Sequence, residues 1–452
     1  MNSILKLILF FAALIALTLG SYFFPMTRHS SSSPQNNAFS SSKIVIISPH
    51  SDGIRSEFKR AFINWYGQTY HQTIDVEWLD AGGTSDCLKY VFSEFKRQPG
   101  GIGIDLFFGG GTDPYLALKK QGLLSAVTID SAVLRPIPRT FSGIDIYDSL
   151  GYWFGTALSG FGIVYNKWVV DKMKFSPPVE WRDLADRRYY SWVGAADPRN
   201  SGTMHIMFEL ILQAYGWEEG WRICTGLAAN SRSFSKGASD IPKMVARGDI
   251  AYGLAIDFYG WAEVSEAGDD LVGMLLPRDL TIISADCIAM LKGASHPVES
   301  QRFIEFTLSE YGQKLFFLRK GAPGGPVEQE LNRMPVRPDL YDLYQSQSNV
   351  RQNPFDAPNT MQFDQERSGR RWMLINDLFG IACIDKRELL QAAWQKTTNP
   401  SSSAWRRLPI TEAQADSLAL HVWSDPILKN RILLQWQNFF DTKYHELARP
   451  QE

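Results

Sequence analysis

Short apolar runs alternate with stretches whose apolar positions recur every three or four residues, and this pattern covers most of the chain. Lys43-Ile44-Val45-Ile46-Ile47 is nearly all apolar and predicts a strand buried on both faces. It stops at Ser48-Pro49-His50-Ser51, after which Ile54, Phe58, Ala61, Phe62, Trp65 and Tyr66 follow a helical period. The unit then repeats. Ile74, Val76 and Trp78 alternate with polar residues, Ala81-Gly82-Gly83-Thr84-Ser85 breaks the run, and Leu88, Val91, Phe92 and Phe95 mark a helix. Ile104 to Phe108 is a third strand, ended by Gly109-Gly110-Gly111-Thr112-Asp113. Repeated strand–loop–helix units predict a parallel sheet with helices on both faces, and ligands in such sheets sit beyond the carboxyl ends of the strands.

A second α/β region follows. Tyr152 to Gly155 and Phe161 to Asn166 read as two strands joined through Ser159-Gly160. Trp192 to Ala195 is a further strand, and Asp197-Pro198-Arg199-Asn200-Ser201-Gly202-Thr203 turns it into a helix carrying Met207, Phe208, Ile211 and Tyr215. Ser201 and Thr203 are both helix-cap residues, and Gly202 lets backbone approach a guest. A helix start leaves N–H groups unpaired and carries partial positive charge, so it suits an anion. Ile250 to Ile256 is another buried strand, ending at Asp257-Phe258-Tyr259, and Ala262 to Leu276 is expected to return to the first region. Ile282 to Met290 reads as strand and Pro297 to Tyr311 as helix. Beyond Asp339 the pattern is mainly helical, with Trp372, Ile375, Leu378 and Phe379 on one face.

Composition narrows the class. A chain of 452 residues holds two or three domains, and 44% hydrophobic residues make it globular. A formal net charge of -2 gives no drive toward nucleic acid. Lys6 precedes an apolar run from Leu7 to Leu19, so residues 1–24 read as a signal peptide or an uncleaved signal anchor. Residues 25–42 read as a flexible linker, which places the folded part in the periplasm or otherwise outside the cytoplasm. Cys87, Cys224, Cys287 and Cys383 show no metal spacing and read as buried thiols. The chain has no G-x-S-x-G elbow, HExxH motif or P-loop lysine, so no catalytic residue, metal or cofactor is expected.

Ile47 to His50 with Arg55 and Phe58, Trp78 with Gly82 to Ser85, Asp105 to Gly110, and Gly160 to Asn166 occur in a telling order. So do Asp197 to Thr203, Gly248 to Tyr259 and Arg333 to Pro338. In this the chain resembles a type II periplasmic solute-binding protein of an ABC importer, in the branch of ferric-iron and phosphorylated-solute receptors. The resemblance implies an α/β, two-lobed type II periplasmic binding fold, here with a C-terminal helical extension. Lobe I would span 43–155 and 262–340, lobe II 156–261, and the extension 341–452. It also implies a monomer that closes on its solute and delivers it to an ABC permease in the inner membrane.

The loops are expected to hold a small anionic solute, phosphorylated or phosphonate-like. The residues are Ser48, His50 and Ser51; Gly83, Thr84 and Ser85; Gly110 and Thr112; Ser201, Gly202 and Thr203; and Asp257 and Tyr259. Ferric iron is the alternative cargo. The family's iron receptors use paired tyrosinates, whereas this chain has Phe258-Tyr259 at the expected place and Tyr189-Tyr190 elsewhere. A membrane-tethered sensor subunit and a phosphate-ester enzyme are the readings from other classes. Replacing Ser201 and Thr203 by Ala is expected to weaken binding while sparing the melting temperature.

Overall fold

A computed structural model describes residues 42–141, 143–350, 353–356 and 361–449. The N-terminal apolar segment and the linker lie outside the described residues. The first region forms as the apolar pattern predicts. Strand β1 (Ser42–Ile47) leads into helix α1 (Asp52–Tyr70), β2 (Ile74–Leu79) into α2 (Thr84–Arg97), and β3 (Leu106–Phe108) into α3 (Thr112–Lys120). β1 pairs in parallel with β2 and with β3, so all three polar loops leave the same edge. Ile54, Phe58, Phe62 and Tyr66 of α1 are buried against this sheet.

The next strand differs from the expectation. Residues 154–166 form one continuous strand, β4 (Phe154–Asn166), rather than two joined by a turn. Its glycines serve close packing. A Cβ on Gly162 would stand 2.0 Å from the Leu275 carbonyl oxygen, so only glycine lets the neighbouring strand approach.

β5 (Val193–Ala196), α4 (Gly202–Tyr215), α5 (Trp217–Asn230), β6 (Ser231–Ser235), β7 (Tyr252–Ile256), α6 (Asp257–Ala267), β8 (Val272–Leu275) and β9 (Ile283–Leu291) follow. The sheet runs β2-β1-β3-β9-β4-β7-β5-β6, with β8 on β4. β4 joins two halves of one sheet: residues 154–160 pair with β9 and residues 161–166 with β7 and β8.

Two large hydrophobic clusters lie on either side of this join. One gathers residues of β1–β3, β9 and their helices, and the other is built on α4 and α5. The return expected from Ala262 comes later. β8 pairs with β4 at Ile163–Asn166, and Val264 and Val272 pack with Val164, Ile241 and Val245, so the chain turns back only at β9.

The C-terminal region is helical, with α7 (Gln365–Phe379) and α8 (Pro426–Leu447) as its longest helices. Trp372, Ile375, Leu378 and Phe379 are buried, as their spacing predicts, and belong with Trp394 and Trp436 to the second cluster. The tail therefore builds on the α4–α5 half. All four cysteines are buried and free.

Candidate functional site

The loops at the strand ends converge. Pro49 and His50 before α1, Thr84 at the start of α2 and Gly110-Gly111 before α3 line one cavity. Gly202-Thr203 at the start of α4 and Phe258-Tyr259 in the first turn of α6 complete it. Four helix starts and the loop before α1 thus face one space of about 530 Å³, part of it open to solvent. At α2 and α3 no side chain caps the first turn, so amide hydrogens there keep their capacity for a guest, whereas at α6 the Asp257 carboxylate takes the Phe258 N–H. Each helix start directs partial positive charge at the cavity. The two cluster-bearing halves also touch beside the cavity. Ser85 Oγ donates to the Pro198 carbonyl at 3.3 Å, and Lys89 Nζ donates to the Arg199 carbonyl.

Arg333, Asp286 and His50 form the polar floor. Arg333 is 1% exposed. Its Nη1 pairs with Asp286 Oδ2, and its Nη2 donates to Ser159 Oγ at 2.9 Å. The guanidinium carbon lies 4.2 Å from the centre of the Phe258 ring. His50 Nε2 sits 2.8 Å from the same Asp286 oxygen. Burial lowers the His50 pKa, so the ring is neutral at pH 7 and its Nε2–H donates to Asp286. His50 Nδ1, buried and without a partner among the described residues, is then an acceptor. Burial alone would raise the Asp286 carboxyl, but Arg333 and His50 hold it below its usual range. Arg333 and Asp286 cancel, so the positive character of the cavity rests with the helix starts.

Two strands aim Asp286 at this place. It lies on β9, where the pairing register with β4 shifts between Asp286 and Cys287. Such a shift re-aims a side chain that regular alternation would send elsewhere. Thr156 Oγ1 on β4 fixes the Asp286 carbonyl at 2.9 Å.

Of the residues expected from sequence, His50, Thr84, Gly110, Gly202, Thr203 and Tyr259 meet at the cavity. The other seven do not line it and shape its loops instead. Ser48 is fully buried and accepts the His50 N–H at 3.2 Å. Ser51 and Gly83 occupy the N-cap positions of α1 and α2, and Ser85 bonds to Pro198. Thr112 Oγ1 accepts from Gln365 Nε2 at 2.9 Å. Ser201 caps α4, accepting the Met204 N–H. Asp257 is consumed by the Gly160 N–H at 2.8 Å and the Phe258 N–H at 2.7 Å, and burial raises its pKa to about 7.

Sequence reasoning overlooked Arg333, Asp286 and Ser159. A charge inside the apolar run Ile282–Met290 was the available signal, since a buried carboxylate demands a partner. Tyr189 packs against Phe175 and Tyr252 at ring distances of 4.9 and 4.6 Å, inside the second half and away from the cavity.

The family model for bacterial extracellular solute-binding proteins matches residues 102–338, more than half of the chain. The chain belongs to this family. Its members are binding proteins that deliver solutes to ABC permeases. The solute-binding protein is 23% identical over 298 residues to a phosphoglycerate transport regulatory protein of Salmonella typhimurium, spanning 63% of this chain and 70% of that one. It shares its fold with the periplasmic binding protein AfuA of Actinobacillus pleuropneumoniae, solved with exogenous fructose-6-phosphate bound. That match has a TM-score of 0.60 and 18% identity, over 78% of this chain and 97% of AfuA. Iron-bound HitA of Pseudomonas aeruginosa matches with a TM-score of 0.58 and 20% identity, over 75% and 99% of the two chains. The solute-binding protein is thus of the type II periplasmic fold expected from its sequence. Among the described residues no helix is long and apolar enough to cross a membrane.

Proposed function

We propose that the protein captures a small hydroxylated organic phosphate between two lobes, outside the cytoplasm, and hands it to an ABC permease as a monomer. The observation that carries this reading is the meeting of four helix starts at one cavity, because unpaired amide hydrogens and helix dipoles together select an oxyanion. Phosphate oxygens would take the N–H groups at Thr84, Gly111, Gly202 and Thr203 and the Thr203 hydroxyl. Asp286, the only carboxylate among the lining residues, adds an acceptor on the same wall. An acceptor there disfavours a bare anion and favours a solute that also carries hydroxyl donors. The names of the Salmonella and Actinobacillus proteins point to phosphoglycerate and a sugar phosphate, both of this chemistry. Ferric iron fits less well, because one tyrosine lines the cavity and the Tyr189-Tyr190 pair lies elsewhere.

Calorimetric titration of the purified protein with 3-phosphoglycerate, fructose 6-phosphate, inorganic phosphate and ferric citrate tests the proposal. An organic phosphate is expected to bind at least about tenfold more tightly than inorganic phosphate, a difference of about 1.4 kcal/mol. Binding of ferric citrate alone overturns it.

A second reading is that the closed protein signals to a membrane partner. It draws on the regulatory role named for the Salmonella relative. Uptake of the solute by cells lacking the gene separates the two. Lost uptake supports delivery, and intact uptake with lost induction supports signalling.

A further inference from the structure

The family match ends at residue 338, and the helical tail lies beyond it. Helix α7 is locked into the half that carries α4. Phe379 stacks on Phe208 with ring centres 3.8 Å apart. Arg371, fully buried, grips Glu209 with two bonds of 2.7 Å. From this anchored base the first turns of α7 reach the opposite half, at the start of α3. Gln365 Nε2 donates to Thr112 Oγ1 at 2.9 Å, and Ser368 Oγ donates to Asp113 Oδ2. His205 of α4 backs this contact, with Nε2 3.3 Å from Ser368 Oγ and Nδ1 2.8 Å from Asn376 Oδ1.

The seam adjoins the cavity. Gly111, immediately before Thr112, lines it, as does Gly202. A Cβ on Gly202 would stand 2.8 Å from Thr84 Cβ and 3.1 Å from the Trp372 ring, so α7 supports the back of the cavity loop.

We propose that α7 is a built-in clasp: fixed to one half, it grips Thr112 and Asp113 of the other through Gln365 and Ser368, and so sets how tightly the halves close on the solute. The proposal concerns regulation of the cavity described above and rests on the two halves moving apart. Parting would expose Asp113, which is 1% exposed with the halves in contact.

That burial gives the clasp a pH response. Buried Asp113 has its pKa raised to about 7 by desolvation, with Glu209 adding to the rise and Ser368 opposing it. Its Oδ1 has no partner among the described residues. The other groups facing it are His205, kept neutral by burial with a pKa of about 4, the Glu209–Arg371 pair, and the Cys287 thiol of β9, which burial keeps protonated. A carboxyl in water titrates near 4. Closing therefore takes up a proton between about pH 4 and 7, and the closed form gains as pH falls through 7.

The experiment measures solution scattering without solute, and affinity for 3-phosphoglycerate and fructose 6-phosphate, at pH 8 and pH 6. The parent protein is expected to be more compact at pH 6, and its affinity relative to that of Asp113→Asn to be about fivefold higher at pH 6 than at pH 8, a ratio that cancels the titration of the phosphate itself near pH 6 and lies within the tenfold per pH unit that one proton allows. Asp113→Asn keeps the size and hydrogen-bonding shape, and without solute should be equally compact at both values. Gln365→Ala with Ser368→Ala should be more open at both. A parent with no pH response in compaction, an Asp113→Asn protein that keeps that response, or a double variant as compact as the parent overturns the clasp. The scattering arm uses no solute. If neither phosphate binds while compaction behaves as stated, the clasp stands and the solute assignment fails.

Discussion

Arg333 sits where charge, packing and recognition meet. Its guanidinium is paired with Asp286, bonded to Ser159 and laid over Phe258. Removing one partner of a buried ion pair strands the other charge, at a cost of about 3–5 kcal/mol. Arg333→Met should therefore lower thermal stability by about that amount, read by denaturant unfolding, as well as weaken solute binding. Ser201 and Thr203 separate by role. Ser201 caps α4 and does not line the cavity, whereas Thr203 lines it. Ser201→Ala is expected to cost about 1 kcal/mol of stability. Thr203→Ala should weaken organic phosphate binding at least about tenfold, a loss of about 1.4 kcal/mol, with an unchanged melting temperature. A joint substitution confounds the two, because a cap and a cavity donor lie two positions apart on one turn. Equal effects of the two single variants on stability would remove this distinction.

Helix α4 shows how an element's surroundings exceed its sequence pattern. Residues 204–212 are all buried, not only the expected face with Met207, Phe208 and Ile211. A helix hydrophobic all round must be covered on every side, and α5, α7 and the sheet cover it here. Phe208→Ala, which removes the stacked partner of Phe379, should destabilise by about 3–5 kcal/mol. A double-mutant cycle with Phe379→Ala should show coupling, because the two rings share one contact. Additive losses would show that the tail is not energetically part of this half. On β4 the local pattern and the fold disagree for a clear reason. Ser159-Gly160 looks like a turn locally, yet Ile283 and Ser284 pair across it and keep it extended.

At the scale of the whole molecule, two strands, β4 and β9, run side by side between the two clusters. Closure of the two halves is expected to bend the chain at this join, while contacts made only in the closed form shift the population toward it. Saturating organic phosphate should therefore reduce the radius of gyration measured by scattering, and an unchanged radius would argue against closure. The tail enlarges the interface between the halves, so the open form should be less populated than in a variant whose clasp contacts are removed.

The local pattern along the chain determined the strand–loop–helix units, the edge at which their loops emerge, and the buried face of α7. These follow from apolar spacing and turn chemistry, which act over a few residues. The convergence of four helix starts, the ion pair beneath them and the clasp at Asp113 were decided only by tertiary structure. Asp286 and Arg333 stand 47 positions apart, and Asp113 and Ser368 stand 255 apart. No local rule links such residues. Each is buried with its charge or hydroxyl satisfied only because the folded sheet and tail bring its partner to it, and that desolvation cost is set by the whole fold.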